Sequence, residues 1–378
     1  MKIQLFEPNY VVDECLREIK ECLDRGWTGL GYKTVEFEKA WIEYTGYKNA
    51  IYLNSASSGL LMALEILKFY ESWQDDSEII TTAFTFVSTN HAILKSHLVP
   101  HFVDINDTLC LDPHEVENAI NHKTKAVIYV GIGGNSGDYQ QIYDICRRHN
   151  LYLILDASHM AGTRIGSSIV GKEADVVVNS FHAVKNLPTA DSGMISFNNV
   201  ELYNIAKKWS WMGINKDTYE RNKGNHYSWE YDVEYQGYKY HGNSLLAAVG
   251  ITQLRYLESE NEHRRRLAKI YEEQFKCYKN KINRPRIPSE CTTSCHLFQI
   301  LIEDREKVIK KLNDSGIGVG VHYKNNLEFS IYKDYRKSLP VTESVSKHVL
   351  TLPCHTKMTE ADVHYVSTKV INIIEGLE

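Results

Sequence analysis

The sequence predicts an α/β protein: a large doubly wound domain with a mostly parallel sheet, followed by a smaller α+β domain. Three observations predict it. Short apolar runs recur at 50–53, 78–81, 99–103, 126–130, 152–155 and 175–178, with amphipathic stretches between several of them. That alternation is the mark of βα units, in which helices cover both faces of a parallel sheet. The texture then changes after Glu201, where the alternation stops. Finally, the chain has 378 residues, 43% of them hydrophobic, which is enough for a large core and suggests two domains.

Each element follows from local pattern. Within 60–70, Leu60, Leu61, Leu64, Ile66 and Leu67 fit a 3.6-residue period better than alternation, so this stretch reads as a helix, as does 139–149. The stretch 209–240 is aromatic and polar with little periodicity, and reads as a long ordered excursion or an interface segment. A single helical run is expected from 244 to about 278, and its charge block at 263–266 reads as a solvated face. A strand at 294–302 and helices at 305–315 and 360–375 complete the smaller domain. The expected domains are 1–245 and 246–378.

Composition narrows the function. A formal net charge of -5 gives no reason to expect nucleic acid or an anionic membrane as partner. No stretch approaches the roughly 20 apolar residues of a spanning helix. The opening MKIQLFEPNY has no basic stretch followed by an apolar one. A cytoplasmic protein is expected. Of eight cysteines, Cys291 and Cys295 are the closest pair, with no second pair or histidine cluster at zinc-finger spacing. They read as reduced thiols, and no metal site is expected.

Ligands of open α/β sheets bind beyond the carboxyl ends of the strands, so the residues after each apolar run matter most. After 51–53 comes Asn54-Ser55-Ala56-Ser57-Ser58-Gly59. Small residues at a strand-to-helix turn let the backbone approach an anion, and the helix N-terminus offers free N–H groups. The turn therefore suits a phosphate, with Ser57 adding a hydroxyl, although serine is also an ordinary helix cap. After 152–155 comes Asp156. A buried carboxylate needs a partner, and a pyridinium nitrogen would serve, as would a structural cap or a metal. After 175–178 comes Asn179-Ser180-Phe181-His182-Ala183-Val184-Lys185-Asn186. An amine desolvated there has a lowered pKa and forms an imine with a carbonyl; the plainer reading is a surface lysine. Ser180 is placed to reach the same phosphate. A phosphate cradle, a pyridine partner and an aldehyde-trapping amine match the three handles of pyridoxal 5'-phosphate (PLP).

These residues resemble the DegT/DnrJ/EryC1/StrS family of PLP-dependent sugar aminotransferases, and the resemblance runs almost end to end. Gly26-Trp27-Thr28-Gly29-Leu30-Gly31 and Val35-Glu36-Phe37-Glu38 match its opening pattern. Ala83-Phe84-Thr85-Phe86, Asp156-Ala157-Ser158-His159 and the Ser180–Lys185 motif follow in order. So do Gly237-Tyr238-Lys239-Tyr240-His241, Gly316-Ile317-Gly318-Val319-Gly320-Val321-His322-Tyr323 and Leu352-Pro353. The resemblance implies a fold-type-I architecture with a seven-stranded-type mixed sheet. It implies Lys185 as Schiff-base lysine, Asp156 on the ring nitrogen, His159 near the ring hydroxyl and Phe86 stacked on the ring. Ala56, Ser57 and Ser180 would hold the phosphate, and Lys239 would reach a neighbouring subunit's site in a homodimer. L-glutamate, leaving as 2-oxoglutarate, is the implied donor, and a keto-sugar nucleotide the implied acceptor, as in amino-deoxysugar synthesis for surface polysaccharide.

Four stretches depart from the family pattern. Its Ser-Gly-Thr phosphate turn is Ser55-Ala56-Ser57, and its Gly-Glu-Gly-Gly after the lysine is Ala190-Asp191-Ser192-Gly193. Its His-x-Tyr-Gly after the fourth strand is Gly131-Ile132-Gly133-Gly134, and its Asn-Tyr-Arg is Lys239-Tyr240-His241. The cofactor handles survive these changes, whereas residues facing the acceptor do not. A small phosphorylated ketone is the alternative acceptor. A PLP-dependent sugar dehydratase, in which histidine replaces the lysine, and a non-catalytic regulator are weaker alternatives.

Overall fold

Seven strands form the main sheet: β1 (Ile51–Leu53), β2 (Glu78–Thr82), β3 (Val99–Val103), β4 (Thr124–Val130), β5 (Tyr152–Asp156), β8 (Val176–Ser180) and β9 (Gly193–Phe197). Their order is β1-β9-β8-β5-β4-β2-β3, and only β9 runs against its neighbours. The computed structural model describes residues 3–222 and 229–376. Alternate side chains of the central strands enter different cores. Ala126, Ile128, Ile154, Val176 and Val178 pack on one face, and Val127, Tyr129, Leu153, Leu155 and Val177 on the other. With both faces buried, nothing selects for polar residues along these strands, hence the continuous apolar runs.

Helices cover both faces. On one side lie α3 (Ala56–Tyr70), α4 (Val87–Lys95) and α7 (Val200–Trp209). On the other lie α2 (Tyr32–Thr45), α5 (Pro113–Ala119) and α6 (Tyr139–Arg148), and α1 (Val12–Asp24) packs outside them against α9 (Ser244–Leu254). A small hairpin of β6 (Arg164–Ile165) and β7 (Ser168–Ile169) pairs with β10 (Cys291–Thr292). A separate core gathers α10 (Leu257–Phe275), α11 (Arg305–Asp314) and α13 (Glu360–Glu375) around β11 (Phe298–Leu301) and β12 (Val349–Leu352). The short α8 (Thr218–Arg221) and α12 (Pro340–His348) complete the described helices. The main sheet is thus mixed, seven-stranded and mostly parallel, with a smaller α+β unit after it, as expected from the sequence.

Three local expectations need correction. The strand β9 was not expected; its five residues follow the lysine loop directly and wedge between β1 and β8. The helical run from 244 breaks after Leu254, where Arg255 N–H and Tyr256 N–H donate three residues back, to Thr252 O and Gln253 O. The break lets α9 stay on α1 and α2 while α10 turns to α13. The block 263–266 is no solvated face: Arg264 is buried, Arg265 donates to Thr293 O, and Arg266 alone is exposed. The excursion at 209–240 folds back on itself where described, with Tyr238 N–H donating to Trp209 O and Met212 N–H to Tyr238 O; its residues 223–228 lie outside the described residues.

Candidate active site

The carboxyl ends of β1, β2, β4, β5 and β8 surround one cavity of about 320 Å³. That size suits a small ligand, and this edge of the sheet is where such ligands bind.

The turn after β1 is already capped. Ser55 Oγ accepts from Ser58 N–H at 3.1 Å, and Ser58 Oγ donates to Asn54 Oδ1 at 2.7 Å. Ser55 thus serves α3 itself, which leaves the Ala56 and Ser57 end of the helix, with its positive dipole, facing the cavity. The Ser57 hydroxyl is exposed there and has no partner among the described residues. Ser180, at the end of β8, is buried and lines the same space. Gly193 backs the turn: a Cβ on it would sit 2.6 Å from Ala56 N and 2.7 Å from the Ser55 carbonyl carbon. Gly193→Ala is therefore expected to push the turn outward and weaken anion binding by about tenfold or more, given overpacking costs of about 1–3 kcal/mol. Titration of cofactor-free protein with PLP checks this; unchanged affinity would show that the turn has room.

Asp156 ends β5 at 4% exposure. Its Oδ2 accepts from Thr89 Oγ1 at 2.8 Å, and its Oδ1 from Ser158 N–H at 3.2 Å and Ser158 Oγ at 2.6 Å. These neutral donors orient the carboxylate but supply no cation, and it has no ion pair among the described residues. Such a group favours a cationic N–H placed against it.

Lys185 sits in the loop between β8 and β9, which is pinned on both sides. Phe181 is fully buried, with ring centroids 5.3 Å from Phe37 and 5.0 Å from Trp41. Asn186 donates to Asn261 Oδ1 at 2.7 Å and to Ser294 O at 2.8 Å. The Lys185 amine has neither hydrogen bond nor ion pair among the described residues. Burial pushes it down to about 8, against the opposing pull of Asp156.

Beyond β5, His159 is buried; its Nδ1 accepts from Gly133 N–H at 3.2 Å, and its Nε2 lies 3.1 Å from the Tyr323 hydroxyl. Phe86, at 57% exposure, lines the cavity with its ring 6.2 Å from that of Tyr323. At the rim, His182 and Asp191 lie 3.7 Å apart, beside Ala190 at φ 103°, a strained value for a residue other than glycine.

The cavity therefore brings together Ala56, Ser57, Phe86, Asp156, His159, Ser180 and Lys185. It does not include Lys239 of the same chain, whose amine lies 5.9 Å from the Trp211 ring and whose carbonyl accepts from Asn54 Nδ2 at 3.4 Å. Residue-level reading missed Thr89, Ser158 and His296. Thr89 falls within the first turn of α4, and nothing in its spacing announces a carboxylate partner. The arrangement offers an anion pocket, a carboxylate for a cationic nitrogen and an amine for a carbonyl.

The profile of the DegT/DnrJ/EryC1/StrS aminotransferase family matches residues 9–371. The chain is 32% identical to the UDP-4-amino-4,6-dideoxy-N-acetyl-beta-L-altrosamine transaminase of Campylobacter jejuni, covering 92% of this chain and 91% of that one. It is similar in structure to Helicobacter pylori PseC, an aminotransferase involved in the biosynthesis of pseudoaminic acid, with TM-score 0.90, 27% identity and all of both chains covered. It also matches Spr1654 of Streptococcus pneumoniae in its PLP form, with TM-score 0.89, 25% identity and all of both chains covered.

Proposed function

The chain belongs to the DegT/DnrJ/EryC1/StrS aminotransferase family, and from that premise we propose that it moves an amino group from L-glutamate to a keto-sugar nucleotide. It is a PLP-dependent aminotransferase of amino-sugar biosynthesis. One observation carries the residue-level reading: a free amine, an unpaired buried carboxylate and an open helix N-terminus line a single cavity.

The residues present fit PLP. Ser57, Ser180 and the N-terminus of α3 would hold its phosphate, Asp156 its ring nitrogen, Phe86 a ring face and Lys185 its aldehyde carbon. When bound, PLP supplies a carbonyl that takes up the amino group and a ring that accepts electrons. Asp156 keeps the proton on the ring nitrogen, because an anion beside it favours the charged form. Lys185 would also serve as the base and acid that moves a proton off and onto the donor's α-carbon. An amine near 8 suits this work: at pH 7 roughly a tenth of it is neutral, against roughly one part in three thousand at the ordinary lysine value.

Charge supports a dimer. Lys185 is the one lysine or arginine lining the cavity among the described residues, yet glutamate and a nucleotide diphosphate both bring anions. A second copy presenting the 239–241 segment would add the partner subunit's Lys239 to the site.

Incubation with L-glutamate and a panel of keto-sugar nucleotides and small keto phosphates, read by mass, tests the reading. An aminated sugar nucleotide with 2-oxoglutarate as co-product is expected. Amination of the keto phosphates alone would transfer the assignment to that class.

A further inference from the structure

Both ring nitrogens of His159 are engaged within the protein, and one of the two contacts has a fixed direction. Gly133 N–H can only donate, so Nδ1 of His159 must hold a lone pair. Burial keeps the ring neutral, driving its pKa well below the usual histidine value, with Lys185 and His322 acting in the same direction. A neutral imidazole with a lone pair on Nδ1 carries its proton on Nε2. His159 Nε2–H therefore donates to the Tyr323 oxygen at 3.1 Å. The Tyr323 hydrogen must then point elsewhere. Tyr323 lines the cavity, and His159 is its hydroxyl's one hydrogen-bond partner among the described residues.

The glycine turn after β4 makes this geometry possible. A Cβ on Gly131 would meet Met160 Sδ at 2.0 Å, and one on Gly134 would meet Ser294 Oγ at 2.0 Å. Gly133, at φ 64°, lies between them and turns its N–H toward the imidazole. The neighbouring ring is fixed in a similar way. Asn186 uses both amide hydrogens on Asn261 and Ser294, so its Oδ1 accepts from His296 Nδ1 at 2.9 Å. His296 lies 4.5 Å from His159, ring to ring.

We propose that Gly133, His159 and Tyr323 form a one-way donor relay that aims the Tyr323 O–H into the cavity, where it donates to the ring oxygen of PLP beside the aldehyde. The family resemblance puts His159 near that oxygen; here His159 is the positioning residue and Tyr323 the contact. This rests on the assignment of Asp156 and Lys185 to PLP. A donor on the ring oxygen draws charge away from it, so the adjacent nitrogen held by Lys185 loses its proton at lower pH. The titratable groups facing the pair are Asp156, Lys185, His296 and His322, with His182 and Asp191 at the rim.

Two measurements on the holoenzyme test the relay. Nitrogen NMR of histidine-labelled protein, with His159 assigned by its loss in His159→Gln, should show the proton on Nε2 and a lone pair on Nδ1 from about pH 6 to 8. A proton on Nδ1, or a charged ring, would overturn the proposal. In the second, the pH midpoint of the PLP visible band should rise by about one unit in Tyr323→Phe, as expected for loss of a hydrogen bond to a charged group. An unchanged midpoint would overturn it as well. If the Phe variant does not fold, the NMR result on the wild type decides alone. A wrong PLP assignment would leave the wild type with no titrating band, whereas a wrong relay leaves the band and removes only the shift.

Discussion

Lys185→Ala is expected to abolish amino transfer, slowing each half-reaction by at least about a thousandfold. The magnitude follows from one side chain serving two roles, covalent holder of PLP and proton carrier. No second amine lines the cavity among the described residues to replace it. The fold should persist, because the loop is anchored by Phe181 and Asn186 rather than by the amine. Rapid mixing with glutamate, followed in the visible band, reads the rate, and borohydride reduction followed by peptide mass locates the adduct on Lys185 in the wild type. Small primary amines added to the variant should restore part of the proton transfer. A variant that turns over at the wild-type rate would remove Lys185 from the chemistry.

Asp156→Asn should lower kcat by about a hundredfold or more, with a much smaller change in the KM for glutamate. The amide fills the same volume, with its oxygen still accepting from Ser158 N–H and its NH2 turned to the Thr89 hydroxyl, but it carries no negative charge to keep the ring nitrogen protonated. The loss therefore falls on the step in which the ring withdraws electrons, which is a transition-state effect. Steady-state kinetics with a single keto acceptor separate the two constants. Equal rises in KM and retained kcat would instead mark Asp156 as a binding residue only.

The sequence showed the main sheet to the extent that burial wrote itself into composition. β4, β5 and β8 lie between two cores, so their residues 126–130, 152–155 and 176–178 appear as unbroken apolar runs. β9 left no such mark, since Gly193 and Ser196 interrupt Gly-Met-Ile-Ser-Phe and the strand abuts the lysine loop. Arg264 misled for a different reason: charge in a helix usually means solvent, and only tertiary packing reveals that α10 is enclosed there. The site was legible where chemistry needs rare residue types at strand ends, as with Asp156 and Lys185. It was illegible where a partner arrives from a distant segment. Thr89 beside Asp156 and His296 beside His159 meet only in three dimensions, and no local pattern encodes their approach.

The anchoring of Asn186 has a consequence for biosynthesis. Its three partners, Asn261, Ser294 and His296, all emerge from the ribosome after the lysine loop itself. The nascent sheet can assemble early, but the loop acquires its final shape only when those later segments have been made and docked. Full anchoring of the loop is thereby deferred until residues 261–296 have been made, and a chain released before Ser294 lacks two of the three contacts that hold Asn186.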